Sequence, residues 1–439
     1  MKLAFFILFF SVNLPAQLLT DITNPKLNTP YKSGSEFCQN LDGEFPLWVP
    51  VPAHYEIKKS EKSLIYAWTK KPFNHKLKTM IFVSGGPGSH EHESSFDLAD
   101  WNVVFFDQRG IACSKPQNKQ IYLDRSFYRS DYTAKDIYEI RKFLKVDQVS
   151  VYGVSYGTIP AHLYGYFYPQ NTRAVVLEGT VYRSDDLFFQ NSTRQFYAEK
   201  YFNELPENIQ NKVSEYSAHT NLEKNWFSRL ASILLYSDDS QKLLNEFLNN
   251  VFSADESTTL ILLKNFSEHQ SIPETDFSGA VMQAMIGCQE MSMNRSVLSF
   301  YSNLENGHLI PDKKNHFQEL YCRPLGFNNA DQNKSYFADG FKTKVFTSYI
   351  QGESDGATPA DLALLHFKRA TLNHAQFLLS ENGGHISTYS SLASGYESKE
   401  SVKSKSDFLK VLLNGKRLNP DELGLLKKAT KRNWIYKSK

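Results

Sequence analysis

Six short runs along the chain are apolar at successive positions rather than alternate ones: residues 80–83, 103–106, 149–152, 174–177, 345–350 and 375–379. They are rich in β-branched and aromatic residues, and a glycine-containing turn follows each. Strands apolar on both faces belong to a parallel sheet covered by helices. Helical spacing falls between some of them. Ile137, Ile140, Phe143 and Leu144 line one face of a helix predicted over 133–144, and a second helix is predicted over 158–168, directly after a tight turn. This alternation predicts an α/β fold. The rhythm stops near Arg183. From 184 to 335 the chain is polar, aromatic-rich and mostly helical in pattern, and strand-like runs resume at Lys344. The simplest account is one sheet domain, residues 17–183 and 336–439, interrupted by a helical insertion over 184–335. The Ser- and Lys-rich stretch 396–407 reads as a solvated loop, with closing helices over 406–413 and 420–431. There is no internal repeat.

Composition narrows the compartment and the partners. Lys and Arg number 49 against 47 Asp and Glu, a net charge of +2 that leaves no basic footprint for nucleic acid or anionic lipid. Residues 1–16 read as a signal peptide: Lys2, an apolar centre over 3–10, and a small residue for cleavage at Pro15-Ala16. That apolar run is short of the ~20 residues that span a bilayer, and no later segment is apolar enough to cross one. The expectation is export, to the periplasm or beyond the cell, with no stable membrane insertion after cleavage. The four cysteines, Cys38, Cys113, Cys288 and Cys322, are an even number in an exported chain and point to two disulfides, in any of three connectivities.

The candidate chemistry centres on Gly153-Val154-Ser155-Tyr156-Gly157, a G-x-S-x-G turn after a predicted strand. Small flanking residues let the chain turn sharply from strand to helix. Ser155 then stands at the sheet edge as a nucleophile, and the Tyr156 N–H faces the place where an oxyanion forms. A base and an orienting acid are needed as well. His385 follows the last apolar run in a Gly383-Gly384 loop. Asp355 follows the run ending at Ile350, with Glu353 and Asp361 as competitors in the same segment. A second oxyanion donor is expected in Ser84-Gly85-Gly86-Pro87-Gly88, first at Gly86 and next at Gly85. In Asp107-Gln108-Arg109-Gly110, Asp107 and Arg109 can lock a loop through a bidentate pair and are read as structural support. The stretch His90-Glu91-His92-Glu93 reads as solvent-facing; a serine triad needs neither metal nor cofactor.

Together these motifs resemble the prolyl aminopeptidase family of serine peptidases, within the α/β-hydrolase fold. The Gly-Gly-Pro-Gly loop, the Asp-Gln-Arg-Gly loop, the nucleophile turn, Asp355 ahead of Thr358-Pro359, and Gly384-His385 carry the resemblance. The exported, cysteine-bearing branch with the tripeptidyl aminopeptidases is similar through Cys38 ahead of Val49-Pro50-Val51-Pro52. Three departures from the family pattern stand out: Ser84 for a histidine, Val154 for a glycine, and Ala112-Cys113 for Gly-Arg. The resemblance implies that the insertion caps Ser155, that disulfides join Cys288 to Cys322 and Cys38 to Cys113, and that the substrate is a peptide. It also implies cap acids that hold a free α-amino group, first Glu290, then Glu178, with Asp185 and Asp186 weaker. A carboxylesterase or lipase on the same fold, and a non-catalytic binding protein on the same scaffold, are the rival readings.

Overall fold

The computed structural model of the chain describes residues 33–38, 45–90, 97–187, 199–219, 226–227, 230, 236–267, 279–291, 322–323, 325–327, 335–386, 388 and 399–439. The signal-peptide assignment, 1–16, and Glu91, His92 and Glu93 lie outside the described residues.

Nine strands form one sheet in the order β1-β2-β4-β3-β5-β6-β7-β8-β9. They are β1 (Phe45–Pro52), β2 (Lys62–Thr69), β3 (Lys78–Val83), β4 (Trp101–Phe106), β5 (Val149–Val154), β6 (Thr172–Glu178), β7 (Thr347–Gly352), β8 (Ala375–Ser380) and β9 (Trp434–Ser438). From β4 through β8 every pairing is parallel, and these are the six strands expected from the doubly apolar runs. The longer described helices are α1 (Ser130–Phe143), α2 (Thr158–Phe167), α3 (Glu207–Ser217), α4 (Ser240–Phe252), α5 (Glu256–Ser267), α6 (Ala280–Glu290), α7 (Ala360–Ala370), α8 (Lys399–Leu413) and α9 (Pro420–Thr430).

Side chains alternate across the pleat and build a core on each face of the sheet. Ile81, Val83, Val104, Phe106, Val149, Val151, Val175 and Leu177 pack on one side with residues of α1 and α2, such as Ile137, Ile140 and Ile159. Met80, Phe82, Val103, Phe105, Tyr152, Val154 and Val176 pack on the other with Phe408, Leu409, Leu412 and Leu413 of α8 and Leu426 of α9. The expected loop over 396–407 is therefore corrected: a helix begins at Lys399. Val402 and the four residues of α8 named above recur at helical spacing toward the sheet, and Lys405 and Ser406 are buried with them while Lys403 stays exposed.

The chain just after β6 and the chain leading to β7 lie side by side. Arg183 and Phe337 form an isolated antiparallel bridge, and Ser184 N donates to Tyr336 O at 3.0 Å. Helices α3, α4 and α5 contribute to a separate apolar cluster that includes Ile209, Val213, Leu244, Leu248 and Leu263. The disulfides are Cys38–Cys113 and Cys288–Cys322, the pairing the resemblance implies, and they close loops of 75 and 34 residues. On a chain-entropy account each is worth about 4 kcal/mol. Among the described residues no helix is long and apolar enough to cross a membrane.

Candidate active site

The parallel strands end together, and the loops leaving β3, β5, β7 and β8 carry the candidate residues. Strand β5 stops at Val154, and Ser155 takes a left-handed backbone at φ +53°. A non-glycine residue there stores about 1–3 kcal/mol of strain and persists only where its surroundings enforce it. The enforcement comes from the flanking glycines. A Cβ on Gly157 would lie 2.3 Å from the Val83 carbonyl oxygen, and one on Gly153 would lie 2.3 Å from the Gly157 oxygen. The turn thus sits wedged between β3 and α2. Thr158 Oγ1 fastens it further, donating to Ser155 O at 2.6 Å and accepting from Val181 N at 3.0 Å.

Asp355 and His385 are brought together. His385 Nδ1 lies 2.8 Å from Asp355 Oδ2, both side chains buried. The carboxylate also accepts from Ala357 N, Thr358 N, Thr358 Oγ1 and Gln351 Nε2, at 2.7–2.9 Å. These donors orient Asp355 and satisfy its buried oxygens. The competitors are elsewhere: Glu353 accepts from Asn382 N, and Asp361 sits exposed in the first turn of α7. The imidazole packs against Gly179, just beyond β6, the strand beside β5. Its other nitrogen, Nε2, is buried and makes no hydrogen bond among the described residues.

The glycine loop after β3 lies against the nucleophile turn. A Cβ on Gly85 would stand 3.0 Å from Ser155 Cβ and 3.6 Å from Ser155 Oγ, and Gly86 has φ +106°. Ser84 Oγ closes this loop by donating to Ser89 O at 2.7 Å. Gln108 Nε2 donates to Ser84 O at 3.0 Å, a support that the residue-by-residue reading missed although Gln108 stands inside a recognised motif.

The expected partnership within the Asp107 loop is corrected. Asp107 Oδ2 accepts from Cys113 N at 2.9 Å, whereas Arg109 turns away and forks onto Asp136 of α1. Its Nε and Nη2 donate to the two Asp136 oxygens at 2.8 and 2.6 Å, and its Nη1 donates to Ala53 O and Phe127 O. The guanidinium lies 4.7 and 4.8 Å from the ring centres of Phe127 and Tyr132. The split follows from the partners at hand: Asp136 of α1 offers both carboxylate oxygens to the guanidinium fork, while Asp107 is taken by the Cys113 N–H.

Both candidate amine-binding glutamates are buried and engaged by this chain. Glu178 accepts from Tyr152 OH and, at 2.8 Å, from Thr388 N. Its carboxyl therefore ties β5 to the segment after His385. Glu290, at the end of α6, accepts from Ser130 N at 3.0 Å and Ser130 Oγ at 2.5 Å, and Ser130 Oγ lies 2.8 Å from Tyr156 OH. Asp185 forks with Arg183 at the root of the insertion.

Burial pushes the Glu290 carboxyl from its ordinary 4.5 up to about 7, against the hydrogen bonds from Ser130. The folded state then takes up the proton before the unfolded state does. This carboxyl's contribution to stability is fully present below about pH 4.5 and falls by about 3 kcal/mol as pH rises to about 7. Glu290→Gln is expected to flatten that fall. Denaturant unfolding at several pH values measures it, and an unchanged slope in the variant would refute the assignment.

The geometry is that of an α/β hydrolase, and comparison agrees. The alpha/beta hydrolase fold family matches residues 78–391, and the chain belongs to it. The chain is similar to proline iminopeptidases: 27% identical over 178 residues to the one from Arabidopsis thaliana, covering 37% of this chain and 44% of that protein. With the one from Chitinophaga pinensis it is 24% identical over 221 residues, covering 48% and 70%. A probable proline iminopeptidase of Leptolyngbya boryana is 29% identical over 108 residues, covering 23% of this chain and 31% of that protein. The matched region thus spans less than half the length of the Leptolyngbya and Arabidopsis relatives. The crystal structure of proline iminopeptidase from Mycobacterium smegmatis superposes with a TM-score of 0.42 at 12% identity, over 83% of this chain and 98% of that one.

Proposed function

We propose that the chain is an exported serine aminopeptidase that releases N-terminal residues, proline or short peptides, from peptide substrates. The observation that carries this reading is the Asp355–His385 pair, 2.8 Å apart, with an unpartnered Nε2 at the sheet edge that also holds Ser155 in its left-handed turn. Asp355 fixes the imidazole through Nδ1, leaving Nε2 to take the Ser155 proton. Ser155 attacks the scissile carbonyl, and the N–H groups of Tyr156 and Gly86, with Gly85 beside them, receive the oxyanion. His385 returns the proton to the leaving amine, and water then releases the acyl group. No step uses a metal or cofactor.

Amine recognition is assigned to Glu290. It reaches the Tyr156 side chain through Ser130, and a desolvated carboxyl gains most from an arriving ammonium. The names of the similar proteins support peptidase over esterase. Two disulfides suit an oxidising compartment, and residues 1–16 suit export.

Aminoacyl arylamides with free and N-acetylated amines separate the readings. A site built to bind the amine should prefer the free form by at least about a hundredfold. Equal turnover of the two would favour an esterase-type hydrolase and remove the aminopeptidase assignment.

A further inference from the structure

The loop that carries His385 is gripped by the insertion. His385 N donates to Tyr236 O at 3.0 Å, and Asp239 N donates to Asn382 O at 2.9 Å, so the two segments exchange backbone bonds in both directions. Gly384 N donates to Asp238 Oδ1 at 2.6 Å. The contact is close enough to require glycine: a Cβ on Gly384 would stand 2.5 Å from Tyr236 O. The Tyr236 ring stands edge-to-face to the imidazole, 5.0 Å between centres. Asp238 also meets Arg432, between α9 and β9, at 2.6 Å. One carboxylate therefore joins the insertion, the His385 loop and the C-terminal part of the sheet domain. On the other side the same loop is held by Glu178 through Thr388 N.

We propose that Asp238 is a positioning residue, a latch through which the insertion sets the placement of His385, so that the insertion belongs to the catalytic apparatus and not only to substrate selection. The inference rests on the serine-hydrolase reading above. The His385 loop contains Gly383-Gly384 and has little stiffness of its own. The bond from Gly384 N is charge-assisted, and the Arg432 guanidinium beside the carboxylate adds Coulombic attraction without a hydrogen bond from Nη1. Without the latch the imidazole wanders relative to Ser155, and a misplacement of about 1 Å is enough to lower a rate about a hundredfold.

The test uses the full chain and a fluorophosphonate probe, with hydrogen exchange of segment 382–386 followed by mass spectrometry. Asp238→Ala is expected to lower the maximal labelling rate of Ser155 about thirtyfold with the probe's half-saturation unchanged, and to speed exchange of the segment. Asp238→Asn keeps an acceptor for Gly384 N but loses the ion pair, and Arg432→Gln loses the pair alone. Both should lower the rate about threefold, and Arg432→Gln serves if the Asp238 variants do not fold. A purely structural role would shift thermal midpoints without separating the rate from the half-saturation. Unchanged exchange in folded variants, or an unchanged rate where the wild type is labelled, overturns the latch. A wild type that is not labelled overturns the serine-hydrolase reading instead, and exchange alone then decides the latch.

Discussion

Ser155→Ala is expected to lower turnover of a free-amine arylamide by at least about four orders of magnitude, and to abolish fluorophosphonate labelling, in a protein that remains folded. The loss should be this large because the other groups are arranged around that one hydroxyl. His385 Nε2 has no hydrogen-bond partner among the described residues, and Gly85 packs on the Ser155 side chain. Stability should move in the other direction at this position. The backbone at φ +53° is strained for any residue with a Cβ, so Ser155→Gly should be as inactive as the alanine variant yet more stable by about 1 kcal/mol. Chemical denaturation of the two variants measures the difference. Retained turnover in Ser155→Ala would end the serine-nucleophile reading, and an unstabilised glycine variant would end the account of stored strain.

The legibility of the fold in the sequence followed burial. The parallel strands, apolar on both faces, announced themselves by uninterrupted runs such as Met80-Ile81-Phe82-Val83. The antiparallel strands did not. Strand β1 contains Pro46, Pro50 and Pro52 and alternates exposed with buried positions toward its end, which an edge strand tolerates and a run-based reading passes over. Strand β9 has only Trp434 buried. The site was legible where a local constraint leaves a local signature. Glycines mark the nucleophile turn and the His385 loop because backbone atoms approach to within a Cβ radius. Long-range partnerships left no such mark. Nothing near Glu178 in sequence points to Thr388, and nothing near Gly384 points to Asp238.

Arg109 shows the same distinction and supports the largest stability effect. Its partner lies 27 residues on, on a helix whose apolar stripe is Thr133, Ile137 and Ile140; Asp136 falls on that buried side, three residues after Thr133 and four before Ile140. A carboxylate inside an apolar stripe was the available signal for a buried cation. Both side chains are wholly buried, and Tyr55 OH also donates to Asp136 at 2.8 Å. Asp136→Ala strands a charge that cannot lose its proton, because arginine stays protonated at any working pH. The expected cost is about 3–5 kcal/mol, enough to threaten folding in a protein of ordinary stability. The double variant Arg109→Met, Asp136→Leu removes both charges while keeping volume, and should recover much of that loss, leaving the deficit of the Ala53 and Phe127 carbonyls that Arg109 no longer satisfies. Denaturant unfolding of Arg109→Met, Asp136→Leu and the double variant closes the cycle. Strict additivity would show that the pair does not act as a unit. A double variant more stable than Asp136→Ala would show that the ion pair anchors α1 beneath the Asp107 loop at the cost of keeping a charge in the core.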